Sequence, residues 1–119
     1  MLQEAEARQF ARDWIAAWNA HDLEAVMSHY ANEVTLNSPV AVEVLKDESG
    51  TVVGREALRH YFQRGLAAHA SLRFELIDVL WGLRSIVLYY VNHRGTKTAE
   101  YMEFDANGKV AKVVANYSG

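Results

Sequence analysis

WIAAWNAHDLEAVMSHYANEVTLNSP, residues Trp14–Pro39, carries the chain from one amphipathic helix through a very short turn into a second helix and then toward a strand. Upstream, Gln3 to Ala20 read as helix, with Phe10, Trp14, Ala17 and Trp18 at i, i+4, i+7 and i+8, the spacing that lays apolar side chains along one face. Asp22 is placed to cap the second helix, whose apolar stripe is Leu23, Val26, Met27 and Tyr30. The segment Ala31–Glu33 ends that helix. Val34 to Val44 is rich in Val and reads as extended, with Pro39 marking an edge or a kink. After the turn signal LysAspGluSerGly at 46–50, a third helix is predicted from near Gly54 to about His69, with Leu58, Tyr61, Phe62, Gly65 and Leu66 on its core face.

Beyond it the chain is strand. Leu72–Trp81, Ser85–His93, Thr96–Asp105 and Lys109–Tyr117 are β-type segments joined by connections short enough for hairpins. In the first of them the apolar phase moves from Leu72, Phe74 and Leu76 to Ile77, Val79 and Trp81. A one-residue phase change is the mark of a β-bulge, and bulges bend sheets. Helices followed by an antiparallel meander give an α+β class, with the sheet curved over the helices so that both apolar faces are buried.

At 119 residues the chain has room for one domain, 1–119, and for a real core. Half the residues are hydrophobic and 23% charged, which suits a globular chain and not a disordered one. A net charge of −3 without any Lys/Arg run argues against nucleic acid and anionic membrane as partners. With no cysteine, disulfides and thiolate zinc sites fall away. No apolar run approaches the ~20 residues of a membrane span. The charged, helical N-terminus is unlike a signal peptide, so a cytoplasmic protein is expected.

AlaTrpAsnAlaHisAspLeuGlu (17–24), TyrAlaAsnGluVal (30–34), GlyArgGluAlaLeuArgHisTyrPhe (54–62) and PheAspAlaAsnGlyLysVal (104–110), in that order and spacing, resemble the NTF2-like superfamily, in its SnoaL-like and ketosteroid-isomerase-like branches. The resemblance covers essentially the whole chain. It implies a cone-shaped α+β barrel, three N-terminal helices packed in a strongly curved, mainly antiparallel sheet. It also implies an apolar cavity and, frequently, a homodimer through the outer sheet face. It implies no single activity, because one fold hosts many.

The family's ketosteroid isomerases use a carboxylate base just before a proline, a tyrosine on the first helix and a protonated acid on a later strand; their raised carboxyl pKa is a standard worked example. In this sequence the three positions fall on Ser38, Trp14 and Glu100. Serine cannot shuttle a proton at neutral pH without a partner base, and an indole N–H donates but does not accept. Direct ketosteroid isomerase activity is therefore not expected.

Glu100 has the sharpest functional reading. Alternation puts Thr98, Glu100, Met102 and Phe104 on one face and Ala99, Tyr101 and Glu103 on the other. Facing inward, the Glu100 carboxyl loses solvation, its pKa rises and it can act as an acid or polarise a ligand carbonyl. A register slip of one would instead make Tyr101 core and Glu100 an ordinary surface charge. Ser38 could hydrogen-bond a ligand or position a water, although Ser before Pro is also plain turn chemistry. Asn116, in phase with Val110, Lys112 and Val114, is either a polar cavity group or an exposed edge residue.

The rings of Phe10, Trp14, Trp18, Tyr30, Tyr61, Phe62, Trp81 and Tyr90 fill core volume, and some of them, with Met102, are candidates to border a cavity for an apolar ligand. His21, His29, His60, His69 and His93 show neither HExxH nor His-x-His spacing, so they are expected at the surface and no metal or other cofactor is expected. No nucleophile elbow is present. Two functional classes follow. One is an isomerase- or cyclase-type enzyme acting on a small apolar carbonyl compound with Glu100 as acid or hydrogen-bond donor. The other is a non-catalytic ligand-binding or dimerisation module.

Overall fold

The computed structural model describes residues 2–119. Helix α1 (Glu4–Asn19) opens with the Glu6 carboxylate accepting from the Gln3 backbone N–H and buries Ala7, Ala11, Trp14 and Trp18, a stripe at helical spacing. Asp22 caps α2 (Leu23–Met27), accepting from the Ala25 N–H at 3.1 Å. Between the two, His21 takes the left-handed conformation (φ 55°), and this tight corner does more than reverse the chain. Asn19 brackets the Phe74 backbone through both its amide atoms, and His21 Nε2 meets the Leu72 carbonyl at 2.8 Å. The corner thus pins the chain entering the sheet against the first helix.

The sheet is six-stranded and mixed, in the order β2-β1-β6-β5-β4-β3. Its strands are β1 (Tyr30–Asn37), β2 (Thr51–Val53), β3 (Glu75–Trp81), β4 (Ser85–Val91), β5 (Lys97–Phe104) and β6 (Val110–Tyr117). All neighbours pair antiparallel except β1 and β6. The expected bulge is present in β3, where the register shifts between Leu76 and Asp78 and leaves Ile77 unpaired. Two more shifts, in the β1–β6 and β5–β6 ladders, bend the other end of the sheet. Helix α4 (Arg55–Ala68) lies across the concave side and buries Leu58 and Phe62.

Two local expectations are corrected, and one short strand is added. Tyr30 does not complete the stripe of α2 but starts β1, where it is buried. The run Val34–Val44 is not one extended segment: β1 stops at Asn37 and Pro39–Leu45 form a further helix, α3. Ser38 Oγ accepts from the Val40 N–H, and Pro39 occupies the first turn, where its missing N–H costs nothing. Ser-Pro marks a helix start in the sequence, whereas the β-branched residues that follow point to a strand. The three-residue strand β2 went unread because it is too short to show a period. Gly50, at φ 60°, closes the loop between α3 and β2; a Cβ there would stand 2.8 Å from both the Ser38 carbonyl oxygen and Val42 Cγ2.

Candidate ligand pocket

The depth of the sheet's concave side can be followed along β4 and β5. Tyr90 pairs with Thr98, Leu88 with Glu100 and Ile86 with Met102, the inward-facing set in each case. At the Ile86–Met102 end neither residue borders the main cavity. Both residues are fully buried, and Trp81, paired with Ile86, lies nearby beneath Arg8 of α1, whose guanidinium carbon is 5.5 Å from the indole centroid. Toward the Tyr90 end the helices fill less, and a cavity of about 440 Å³ remains.

Its inner wall is aromatic: Trp14, Trp18, Phe62, Phe74 and Tyr90 all line it. Trp14 stacks on Phe74 (5.8 Å, 16°), Trp18 meets Phe62 edge-on at 4.8 Å, and Phe74 lies 4.7 Å from Tyr90. These contacts pack the rings against one another along the wall. Tyr30 stands behind this wall. Its hydroxyl accepts from Trp14 Nε1 at 2.9 Å, its ring packs on Phe62 at 5.5 Å, and burial pushes its phenol pKa up.

Glu100 also lines the cavity and is 6% exposed. Its carboxyl accepts from the Tyr90 hydroxyl at 2.6 Å. Burial pushes the carboxyl pKa up to about 7, the Tyr90 hydrogen bond opposing only part of the shift. Tyr90 is raised in turn, by burial first and by the Glu100 charge second, so it remains a donor. The pair can therefore offer a proton at neutral pH. Ser38 reaches the cavity from the other side, buried, with its hydroxyl already engaged as the cap of α3. It faces Tyr61 and Tyr117, two lining phenols whose pKa burial raises and the Ser38 hydroxyl partly lowers.

The expected site residues thus separate. Glu100, Ser38, Trp14, Trp18, Tyr61, Phe62 and Tyr90 come together around the cavity. Trp81 and Met102 do not, because they sit at the opposite end of the strands from Tyr90 and do not border the cavity. Asn116 does not either: it is exposed on the outer face, its amide donating to the Ala99 carbonyl at 3.3 Å. The ladder shift between Glu103 and Phe104 breaks the phase of β6, so that Val110 faces inward but Lys112, Val114 and Asn116 face out. Tyr117 takes the inward place instead. Alternation counted forward from the outward Lys112 puts Val113, Ala115 and Tyr117 on the inner face.

The rim was also unread. Arg94 and His93 occupy the β4–β5 hairpin, which Asn92 builds by donating to Thr96 Oγ1 and Thr98 Oγ1 while its carbonyl oxygen accepts from the Arg94 N–H. His93 stacks near His69, beyond the end of α4, with ring centroids 4.2 Å apart. Both histidines line the cavity; His69 is exposed as expected, whereas His93 Nε2 is buried. Among the described residues no group of three or more His, Asp or Glu side chains could hold a metal. No helix among them is long and apolar enough to cross a membrane.

Comparison with known proteins gives this geometry a family. The model of the SnoaL-like domain matches residues 11–115. The chain belongs to the SnoaL-like family. A SnoaL-like protein of unknown function from Burkholderia thailandensis is 38% identical, with TM-score 0.95 over 98% of each chain. An NTF2-like protein of unknown function from Cytophaga hutchinsonii superposes with TM-score 0.73 at 13% identity, over 99% of this chain and 95% of its own. The epoxide hydrolase/cyclase-like enzyme SalBIII, of pyran ring formation in salinomycin, gives TM-score 0.75 at 16% identity over 99% and 95%. These two likenesses are of fold alone. No curated protein matches the chain.

Proposed function

We propose that this SnoaL-like chain binds a small, largely apolar molecule in the aromatic-walled cavity and presents the Glu100 carboxyl to an oxygen of that molecule, as an acid or hydrogen-bond donor in isomerase- or cyclase-type chemistry. One observation carries the reading. A single buried carboxyl group lines an otherwise apolar inner wall, is held by Tyr90, and is poised near neutrality by burial. A carboxyl kept protonated can donate to a carbonyl as negative charge builds there, which is where preorganised donors contribute most.

A second reading, a binding module without turnover, is favoured by Ser38. It stands where a base would be needed, and its oxygen is committed to the N-terminus of α3. Carbon-13 NMR of the glutamate side-chain carboxyls separates the proposal from its failure. Glu100 is expected to titrate with a midpoint near 7. A midpoint at the ordinary value of 4.5 would leave the cavity without an acid and the enzyme reading without support.

The proposal extends to assembly. The outer face of the sheet presents Ile77, Leu80, Val87, Tyr89, Tyr101 and Val114, all at least partly exposed, an apolar surface suited to a second copy. Native mass spectrometry is expected to show two chains; a single-chain mass at micromolar concentration would remove the dimer.

A further inference from the structure

The charge around the cavity runs against that of the chain. The whole sequence carries −3, yet the ionised side chains that line the cavity mouth are Lys46, Arg64 and Arg94 against Glu43. Glu43 does little to quench them. Its carboxylate stands 3.8 Å from Arg94, at the outer limit of an ion pair, with the two side chains 70% and 45% exposed. Arg64 donates to the Val44 carbonyl at 3.2 Å. That leaves further guanidinium N–H groups on both arginines free to donate.

A second, independent observation concerns unpaired atoms. Among the described residues two side-chain polar atoms are buried without any hydrogen-bond partner, Trp18 Nε1 and His93 Nε2. Both residues line this cavity, and Trp18 is 6% exposed. An indole N–H can only donate, so what Trp18 lacks is an acceptor. Burial, the neighbouring His69 and Arg94 hold the His93 pKa below its ordinary value. Buried polar groups are otherwise almost always paired, and an orphan asks for an explanation.

We propose that the ligand is an organic anion: an apolar ring body bearing a carboxylate that meets Arg94, Arg64 and His93 at the mouth, with an uncharged oxygen turned toward Glu100 and Tyr90. This rests on the pocket reading above and narrows it to a substrate class. A carboxylate supplies acceptors for the free guanidinium N–H groups of the rim, whose planar fork suits it. The Trp18 N–H of the inner wall is left for a further polar atom of the ligand. The inner wall supplies the apolar contact. Glu100, neutral when protonated, does not repel the anion and donates to the far oxygen.

The test uses two probes of one shape, 2-naphthoate and its uncharged counterpart 2-acetonaphthone, titrated into the full chain at pH 7 and low salt. Naphthoate is expected to bind about tenfold more tightly, the scale of one charge-assisted hydrogen bond. It should also shift the His93 ring resonances, and its advantage should shrink as salt screens the rim. In the Arg64→Gln, Arg94→Gln double variant, two exposed positions, the ratio of the dissociation constants should fall toward one. Equal affinities in the unaltered protein, or a preference that survives in the variant, would overturn the anionic ligand while leaving the pocket standing. Failure of both probes to perturb any lining residue would overturn the pocket reading and this proposal with it.

Discussion

Glu100→Gln is expected to flatten the decline of stability with rising pH. The folded chain holds the Glu100 proton up to about pH 7, whereas the ordinary value is 4.5. Between those values the folded state binds more protons than the unfolded state, so unfolding free energy falls as pH rises through the window. At 1.36 kcal/mol per pH unit the whole fall is about 3 kcal/mol. Glutamine keeps an oxygen for the Tyr90 hydroxyl and cannot ionise. The stability of the variant relative to the unaltered protein should therefore grow by about 3 kcal/mol between pH 4.5 and 8.5. His29 and His93, both held below the ordinary histidine value, act in the opposite sense, since the unfolded state binds their protons first as pH falls. They are common to both proteins and cancel in the difference. Urea titrations of the pair at several pH values measure it, and parallel profiles would show that Glu100 is solvated in the folded state.

Trp14→Ala is expected to be the most damaging single truncation in the cavity wall. The ring is 1% exposed and contacts Phe74, Tyr90 and Trp18, and its N–H is paired with Tyr30. Truncating a buried tryptophan costs about 3–5 kcal/mol, a large share of the ~5–15 kcal/mol available to an ordinary domain. In urea, with a slope of roughly 1–3 kcal/mol per molar, the midpoint should fall by about 2 M. Trp81→Ala provides the contrast, because that ring is only half-buried and lies outside the cavity wall. Were the two variants to lose the same stability, Trp14 would not be the keystone of the aromatic wall. Trp14 thus serves stability as well as lining, which explains why a donor-only indole can occupy the position.

What could be read from the sequence divides along physical lines. The stripes of α1 and α4 repeat at helical spacing over several turns, and the strands β4 and β5 alternate cleanly, so their faces are legible. Glu100 was placed inward on that alternation alone, and the bulge at Ile77 on a phase change. Legibility ended where one ladder irregularity inverted a strand, at Asn116 and Tyr117, and where an element was too short for its period to show, in β2 and α3. The rim was beyond reach for another reason. Lys46, Arg64 and Arg94 are far apart in the chain and look like ordinary surface charges until the fold gathers them. Trp81 and Met102 were assigned to the cavity because the pattern tells which face a residue takes and not how far along the strand the helices fill.

Helix α3 and the β4–β5 hairpin bear on how such a chain changes over time. Of the α3 side chains only Ala41 is buried, and the hairpin holds its shape through Asn92 and its own threonines. These segments carry the Glu43, His93 and Arg94 side chains of the proposed entrance, while the buried rings lie deeper. Substitutions at the entrance are therefore cheap in stability, and substitutions in the wall are not. Selection can rewrite what is admitted, charge included, long before it must recast the vessel.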